Sequence, residues 1–444
     1  MRSSLYKVIK SAGIAWFLLL TTYCLAQNPV PVAKQSKSIL LEGGTIHIGN
    51  GQVIENGLLG FKDGKITLVT DATNIKLQQG LFDTVIQTYG KHIYPAFIAP
   101  NSTLGLTEVD EVRATKDFNE IGGYNPHIRA LIAFNTDSKI NPTVRTNGVL
   151  YAQACPRGGV ISGTSSVLAL EGWNWEDAVL KADDGIHLNF PRSMKHHGWG
   201  EANPGPSQNE KLDEQVNELK KFFADAKAYH ASPVKEEKNL RYEAMKGVLN
   251  GTQNLYIHTD YVKDIIGAVN FCKSAGIKKC VIVGGKDAWK VTKLLRENNV
   301  AVMVNRVHDL PEYSQEDVDL PYKLPFLLQK DSVLFCLNNA GDMEAMNARN
   351  IPFLAGTACA YGLTKEQAIA SISYNTAKIL GLDNKIGSLE AEKNASLIVS
   401  EGDALDMRTN NIIHAFVDGK RIMLTNSQQE LYKKYMSKYQ LNKK

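Results

Sequence analysis

The stretch GKHIYPAFIAPNSTLGL, residues 90–106, decides the fold of this chain. An apolar run leads here into the polar residues Asn101, Ser102 and Thr103. Residues spaced by two in a β-strand point to the same side. If this stretch is a strand, Asn101 and Thr103 therefore face the same way at its end. The remaining sequence indicates where such a strand lies in the molecule.

Both ends of the chain carry β patterns. Ser38–Thr70 consists of short apolar runs that are broken by Gly-Gly, Asn-Gly and Asp-Gly, which are dipeptides typical of tight hairpin turns. Leu389–Met423 has the same texture. Neither segment is long enough to bury a good core alone. We therefore expect the two ends to meet in one small β-sandwich.

The middle of the chain alternates strand-like and helix-like stretches. KKCVIVGG, residues 278–285, is a continuous apolar run, as in a strand buried on both faces. Residues 286–298 follow with apolar side chains at helical spacing, and residues 299–305 form another strand pattern. Thr364–Leu380 is a helix candidate with Thr364 and Gln367 at the capping-box positions. Such alternation predicts a parallel sheet, and its length suits a (β/α)8 barrel. The predicted segments are a signal peptide (1–26), a first part of the sandwich (27–95), the barrel (96–384) and a second part of the sandwich with a tail (385–444).

The first residues have the pattern of a secretory signal. Arg2, Lys7 and Lys10 precede a short apolar run, and small residues near Ala26 suit cleavage. We expect a secreted or periplasmic protein with no membrane span in the mature chain, since the apolar run is shorter than the ~20 residues that a spanning helix needs. The near balance of 50 basic and 46 acidic residues argues against nucleic acid as a partner. Five cysteines remain in apolar surroundings without zinc-site spacing, which favours free thiols.

Several stretches resemble the imidazolonepropionase-like branch of the amidohydrolase superfamily. In that family the counterpart of residues 90–106 typically reads G-K-x-x-x-P-G-F-I-D-x-H-x-H-L-G-L. Further similarities cover nearly all of the mature chain and include residues 125–138, 156–173, 257–277 and 346–363. The resemblance implies a TIM-like barrel with a small β-sandwich formed by both termini. It also implies metal-dependent hydrolysis of C–N bonds.

The positions that carry the family's chemistry have changed. Asn101 and Thr103 stand where the first two histidine ligands are expected, and Ala99 stands at the preceding Asp position. His258 fills the next histidine position, whereas Gly284 or Gly285 takes the following one. Asn338 and Asn339 occupy the place of the catalytic Asp, and the nearest Asp is Asp342.

These changes remove what the family mechanism needs. That mechanism uses a metal to activate water and a carboxylate to take its proton. The amides of Asn338 and Asn339 are not basic, and the neutral oxygens of Asn101 and Thr103 are weak ligands for zinc. His258 is a possible surviving ligand or a hydrogen-bonded pocket histidine. We expect no resident cofactor, or weak and substoichiometric zinc.

Other side chains could bind a polar ligand without a metal. Glu108 and Arg113 follow the first barrel strand, and Arg349 lies in the loop after the last one. The alternative is that they form loop salt bridges and helix caps. His196 and His197 are interpreted as an incidental exposed pair, and Pro204–Lys238 as an exposed excursion rich in helix.

Two functions remain open at this point. The favoured one is a secreted amidohydrolase-family protein with impaired or lost hydrolysis, that is, a pseudoenzyme that binds a ligand or supports an active homologue. The alternative is an active hydrolase with a reorganised site, acting on non-peptide C–N bonds or dipeptide-like amides. Symmetric oligomers are common in proteins, so a homo-oligomer is possible.

Overall fold

The computed structural model describes residues 30–75, 78, 80–195, 207–233, 237–341 and 343–441. The predicted signal peptide, the pair His196 and His197, and Asp342 lie outside the described residues.

Strands from both ends of the chain form one sheet. Its members are β1 (Ile39–His47), β2 (Val53–Lys62), β3 (Lys65–Asp71), β4 (Thr84–Gln87), β5 (His92–Pro95), β16 (Leu397–Ser400), β17 (Ile412–Val417) and β18 (Lys420–Arg421). The order is β18-β17-β16-β5-β1-β2-β3, with β4 beside β1. β16 joins the two ends by antiparallel pairing with β5, in which Leu397 lies opposite Pro95.

The terminal sheet encloses its own core. The rings of Phe61 on β2 and Phe416 on β17 meet edge to face, with centroids 5.0 Å apart. Both side chains are fully buried, although their strands are far apart in the strand order. The sheet therefore curls around this core. The two layers of the sandwich are continuous with each other, because all of the strands belong to one hydrogen-bonded sheet. This is the sandwich that was predicted from the two β-rich ends.

A second sheet forms a nearly closed barrel, which confirms the predicted fold class. Its strands are β6 (Phe97–Ser102), β7 (Val149–Ala154), β8 (Ile161–Ala169), β9 (Val179–Asn189), β12 (Asn254–Thr259), β13 (Cys280–Gly284), β14 (Ala301–Val304) and β15 (Phe335–Leu337). They follow one another in this order around the sheet. Two short strands, β10 (Met194–Lys195) and β11 (Ser207–Gln208), pair separately.

One barrel strand runs against the rest. β8 is antiparallel to both β7 and β9, whereas the other neighbouring pairs are parallel. The cause is the short connection from Ala154 to Ile161. A parallel return needs a crossover of about a dozen residues, so a short turn can only bring the chain back antiparallel. The barrel thus departs from a regular (β/α)8 repeat at this strand.

Helices cover the outside of the barrel. They are α1 (Ala130–Ala133), α2 (Ile140–Arg145), α3 (Trp175–Ala178), α4 (Leu212–Ala231), α5 (Leu240–Ala244), α6 (Lys246–Asn250), α7 (Val262–Ala275), α8 (Thr292–Glu297), α9 (Leu320–Lys330), α10 (Glu344–Asn347), α11 (Ile351–Ala360), α12 (Lys365–Ile372), α13 (Tyr374–Leu380) and α14 (Ser427–Lys438). The predicted helix over Thr364–Leu380 is divided at Ser373, whose ψ of −88° interrupts it. The predicted capping box of Thr364 and Gln367 is present.

The charge-rich excursion contributes helix α4. This 20-residue helix buries Leu219, Phe223 and Ala226 and leaves most of its polar side chains exposed. Its pattern is that of an amphipathic helix packed on the barrel wall. None of the helices that the structure describes is both long and apolar enough to cross a membrane.

Candidate functional site

Polar atoms without partners gather at the carboxyl ends of the barrel strands. Side chains on or directly after β6, β9, β12, β14 and β15 each carry a buried polar atom that makes no hydrogen bond to the residues that the structure describes: Asn101 Oδ1, Thr103 Oγ1, His187 Nε2, Thr259 Oγ1, Asp260 Oδ1, Asn305 Oδ1 and Asn339 Nδ2. Buried polar groups are nearly always hydrogen-bonded, to water or a ligand if not to protein. The carboxyl ends of barrel strands are also where ligands bind in this architecture. We call this set of residues the mouth cluster.

Asn101 has an unusual backbone conformation. Its φ is 47°, in the left-handed region, and the β6–β7 pairing shifts register between Ala99 and Ser102. Two hydrogen bonds hold this bulge. The Asn101 N–H donates to Gln153 Oε1 at 2.9 Å, and the Asn101 carbonyl accepts from Arg157 Nη2 at 2.8 Å. The Asn101 side-chain oxygen is left free for another partner.

A buried polar network beneath the mouth positions Gln153. The side-chain amide of Gln153 donates to Asp184 at 2.9 Å. Asp184 also accepts from the hydroxyls of Ser165 at 2.7 Å and Tyr256 at 2.6 Å. Burial raises the pKa of Asp184, and these hydrogen bonds oppose that shift because they favour the charged form. A carboxylate in the barrel interior therefore fixes, through Gln153, the backbone of Asn101.

His258 is paired with a second histidine that the sequence interpretation did not include. His187 on β9 places its Nδ1 2.9 Å from His258 Nε2. Burial, with the charges of Arg157 and Arg192, lowers the pKa of His258 to about 3. Burial, with His258 and Arg157, lowers the pKa of His187 well below its usual range. Both rings are therefore neutral near pH 7, and one donates its N–H to the other.

Arg157 places a positive charge in the mouth. Its guanidinium forms an ion pair with Glu344 at 3.0 Å, in which the Nε and Nη2 atoms both donate to the carboxylate. The same side chain bonds the carbonyl of Asn101, and its charge is felt by His187 and His258. Arg157 thus links the end of β6, the two histidines and the loop after β15.

The two asparagines at the catalytic Asp position differ in their surroundings. Asn338 is fully buried, donates to the Met303 carbonyl at 3.1 Å and accepts from the Ala340 N–H at 3.0 Å. Its amide is used to shape the turn after β15. Asn339 is also buried, but its Nδ2 makes no hydrogen bond to any part of the chain that the structure describes. Of the two, Asn339 is the residue with capacity for a ligand.

The glycines at the end of β13 leave no room for a side chain. Gly284 has a φ of 101°, and a Cβ built there would lie 2.4 Å from Asp260 Oδ1 and 3.1 Å from the Thr259 carbonyl. Gly285 also has a positive φ, 67°. A histidine at either position would require the backbone to move.

Three residues predicted to bind a polar ligand lie outside the mouth cluster. Glu108 accepts from Asn135 Nδ2 at 3.1 Å and from the Lys139 N–H at 3.2 Å, so it ties its loop to the start of α2. Arg113 is exposed in a short 3₁₀ turn. The carbonyl of Arg349 accepts from Asn147 before the amino end of β7, which places this residue away from the carboxyl ends. Their role in ligand binding stays a prediction.

The residues at the family's ligand positions do not fit a zinc ion. Asn101 and Thr103 offer neutral oxygens, and His258 Nε2 is engaged with His187. Throughout the described ranges, no three His, Cys, Asp or Glu side chains lie close enough together to hold a metal ion. The guanidinium of Arg157 adds a fixed positive charge beside this position. The donor set suits hydrogen bonding to a neutral or weakly charged group better than zinc coordination.

Comparisons with known proteins agree with this architecture. The model of the amidohydrolase family matches residues 324–422, from the helix before β15 to the end of the terminal sheet. The resemblance to the amidohydrolase superfamily is confirmed. An amidohydrolase from Thermotoga maritima MSB8 has 24% sequence identity and a TM-score of 0.74, covering 87% of this chain and 99% of that chain. A search of curated proteins found no match to this sequence.

More distant structures share the amidohydrolase fold. Molinate hydrolase has 14% identity and a TM-score of 0.53, covering 88% of this chain and 96% of that chain. An adenosine deaminase from Xanthomonas campestris with bound zinc has 11% identity and a TM-score of 0.52, covering 93% of this chain and 99% of that chain. At such identities the likeness concerns the fold. The imidazolonepropionase-like branch therefore stays a prediction.

Sequence reasoning missed Arg157, His187 and Glu344. Arg157 lies in the PRGG stretch that carried the family resemblance, so its charge beside two glycines was a usable signal. Glu344 follows the last barrel strand and could have been proposed as a partner on that ground. His187 stands in an ordinary strand pattern and had no such signal. Only the pairing of β9 with β12 brings it beside His258.

Proposed function

We propose that this chain is a secreted amidohydrolase-fold protein without metal-dependent hydrolysis, which binds a small polar ligand at the barrel mouth through hydrogen bonds. The observation that carries this proposal is the mouth cluster itself. Its free atoms are mainly amide and hydroxyl groups, and those of Asn101, Thr103 and Asn339 stand at positions where the family mechanism needs metal ligands and a base.

The charge arrangement supports the same proposal. Arg157 and Glu344 neutralise one another, and the two histidines are held neutral by burial. Further charges that act on this region are Asp260, whose pKa is raised by burial, and Arg192, whose positive charge acts on His258 and Asp260. A nearly neutral mouth with donors and acceptors on several strands is suited to recognising a polar molecule. Among the residues that the structure describes, the carboxylates here are Asp260 and Glu344, and Glu344 is engaged by Arg157, so they form neither a free pair for proton transfer nor an anionic set that would attract a divalent cation.

Metal content is the direct test. The mature protein, dialysed without chelator, is expected to hold well under one equivalent of zinc by elemental analysis. It should also show no chelator-sensitive hydrolysis of amides. Near-stoichiometric zinc that is lost in His258→Ala would contradict the proposal. The alternative, an active hydrolase with a reorganised site, requires turnover of a peptide-like amide that survives exhaustive chelation.

Restoring the ligand pair provides a sharper test. Asn101→His with Thr103→His is expected to raise zinc affinity by more than about tenfold, because imidazole replaces weak neutral oxygens. Histidine tolerates the left-handed conformation of position 101 better than most residues do. The matched control is Asn101→Ala with Thr103→Ala. Equal zinc binding by the two double variants would show that these positions do not face a metal site.

Hydrolysis should need one more change. We expect little amide hydrolysis from the double-histidine variant, because the base is still missing. Adding Asn339→Asp should increase it, since Asn339 is the asparagine whose amide is free. Adding Asn338→Asp instead should damage the turn after β15, where that amide already makes two hydrogen bonds.

A further inference from the structure

The C-terminal helix α14 projects from the body of the protein. Its start is tied to the end of α2, where Asn426 Nδ2 donates to Thr146 Oγ1 at 3.1 Å. In the same place, Thr143 Oγ1 donates to Gln428 Oε1 at 3.0 Å. None of the helix side chains is buried against the residues that the structure describes. A helix of 12 residues without tertiary packing is only marginally stable in water, so α14 is suited to make its packing contacts outside this chain.

Apolar and aromatic side chains line one side of α14. At about 100° per residue, the apolar side chains from Leu431 onward project within an arc of about 140°. They are Leu431, Tyr432, Tyr435, Met436 and Tyr439. Leu431 is 51% exposed, and the three tyrosines are 64%, 51% and 60% exposed. The rings of Tyr435 and Tyr439 stack with centroids 6.4 Å apart, so this face forms one continuous surface.

Lysines flank this apolar face. Lys434 and Lys438 lie along one edge and Lys433 lies beyond the other, whereas Glu430 is the one acidic residue of the helix. Tyrosine and lysine suit the boundary between water and lipid, because each combines an apolar ring or stem with a polar tip. Helices with a lysine-rich side and an apolar side lie flat in the headgroup region of anionic bilayers.

A second copy of the chain fits this face less well. The helix is about 18 Å long and about 10 Å wide, so one side of it covers roughly 200 Å². Each partner in a stable complex buries about 800 Å². In a two-fold dimer the same patch meets itself, which would bring the lysines of both copies together. An anionic surface would instead compensate their charge.

We propose that α14 docks the mature protein on an anionic lipid surface. The apolar face enters the headgroup region, and the three lysines lie beside the lipid phosphates. Val30 and Met423 line a groove against α2, near the start of α14, and are 54% and 48% exposed. They extend the apolar contact from the helix onto the body. The contact is peripheral and does not depend on what the barrel mouth binds.

Co-sedimentation with large unilamellar vesicles tests the contribution of charge. At about 50 mM NaCl the mature protein should bind vesicles of three parts phosphatidylcholine to two parts phosphatidylglycerol at least about tenfold more tightly than pure phosphatidylcholine vesicles. Salt at about 500 mM should remove most of this difference. Replacing Lys433, Lys434 and Lys438 together by Gln should weaken the anionic binding by more than about tenfold.

The matched control for charge lies on helix α4. Its exposed residues Lys220, Lys221 and Lys227, replaced together by Gln, change the net charge of the protein by the same amount. This variant should bind the anionic vesicles as the wild type does. The comparison separates a local contact of α14 from a general effect of net charge.

The apolar face is tested by Leu431→Ser with Tyr435→Ser. This variant should bind the anionic vesicles about tenfold more weakly, because interfacial binding increases with the apolar area that enters the bilayer. Its melting temperature should equal that of the wild type, since α14 buries none of its described side chains. Leu240→Ser with Val318→Ser, at two other exposed apolar residues, is the matched control.

The inference would be overturned by no binding to anionic vesicles, by equal binding to neutral and anionic vesicles, or by equal losses in the α14 and α4 lysine variants. Sedimentation velocity without lipid adds a further check. An oligomer that dissociates in the variant Leu431→Ser with Tyr435→Ser would assign this face to a second copy and contradict the lipid contact. The zinc and hydrolysis measurements at the mouth are independent of all these outcomes.

Discussion

Asn101 has two roles: its backbone forms the bulge at the end of β6, and its side chain presents an oxygen at the barrel mouth. Asparagine enters the left-handed region more readily than most residues, because its short side chain is sterically tolerant there. The φ of 47° is further held by hydrogen bonds to both the N–H and the carbonyl of the residue. The result is a buried side-chain oxygen that has no hydrogen-bond partner within the described ranges. A residue in such a state is preorganised to accept a hydrogen bond from a ligand.

Glu344 should contribute strongly to stability because it neutralises a nearly buried guanidinium. The side chains of Arg157 and Glu344 are only 20% and 12% exposed. Glu344→Ala is expected to lower the free energy of unfolding by about 3 kcal/mol, since it leaves an uncompensated charge in the mouth. Urea denaturation measures this loss. Arg157→Met with Glu344→Leu should recover much of it, and a double variant as unstable as the single one would contradict this account.

Among the helices and strands, some features could be predicted from the sequence and others could not. The strand frame, the terminal sheet and the Thr364 capping box were predictable from periodicity, turns and caps. The reversed direction of β8 was not predicted, because the apolar pattern of a strand does not indicate whether it pairs parallel or antiparallel. The histidine pair depended on the register between β9 and β12, in which Asn189 lies opposite His258. The positions of Asn101, Thr103 and His258 at strand ends followed from the family frame, whereas their partners required coordinates.

The end of β13 tests how rigid this frame is. Gly284→Ala should destabilise the protein by about 2 kcal/mol, because the φ of 101° is strained for a side chain and the new Cβ would clash with Asp260. Thermal or urea unfolding gives the value. The control is Gly123→Ala, where nothing lies within 4 Å and φ is not positive. An equal effect at both glycines would show that the strain argument is wrong.

At the scale of the molecule, the two cores meet where both termini join the barrel. β5 leads into β6 with only Ala96 between them, so the terminal sheet continues almost directly into the first barrel strand. The barrel and the terminal sheet are therefore expected to unfold together. This cooperativity can be tested at the buried histidines of the mouth and at the strands near the chain ends.

Stability should fall in mild acid. The folded protein lowers the pKa of His187 and His258, whereas an unfolded histidine has a pKa near 6.5. Below about pH 6.5 the unfolded chain binds more protons, so the free energy of unfolding decreases as pH falls. Between pH 7.5 and 5.5 each histidine should account for about 1 kcal/mol. Urea denaturation at both values tests this, and His187→Gln with His258→Gln should flatten the dependence. An unchanged pH dependence in that variant would exclude these residues as its source.

Removal of the last strands should damage the first ones. A chain ending at Lys393 lacks β16, β17 and β18, which exposes the edge of β5 and removes Phe416 from the core around Phe61. Hydrogen exchange in β1 and β2 should then accelerate, and the melting temperature should fall. A chain ending at Met423 keeps those strands and loses α14, which buries no residue. It should melt close to the full chain; if both truncations behaved alike, the shared sheet would not explain the loss.

The pairing of Pro95 with Leu397 also sets an order of events during biosynthesis. The ribosome releases the amino-terminal strands long before β16 is synthesised. The edge of β5 that pairs with β16 therefore stays unpaired while the entire barrel is made. Sheet edges and unburied apolar side chains are prone to misassociation during such a delay. Because the terminal sheet is completed only late in synthesis, we expect the nascent chain to benefit from chaperones that cover this edge.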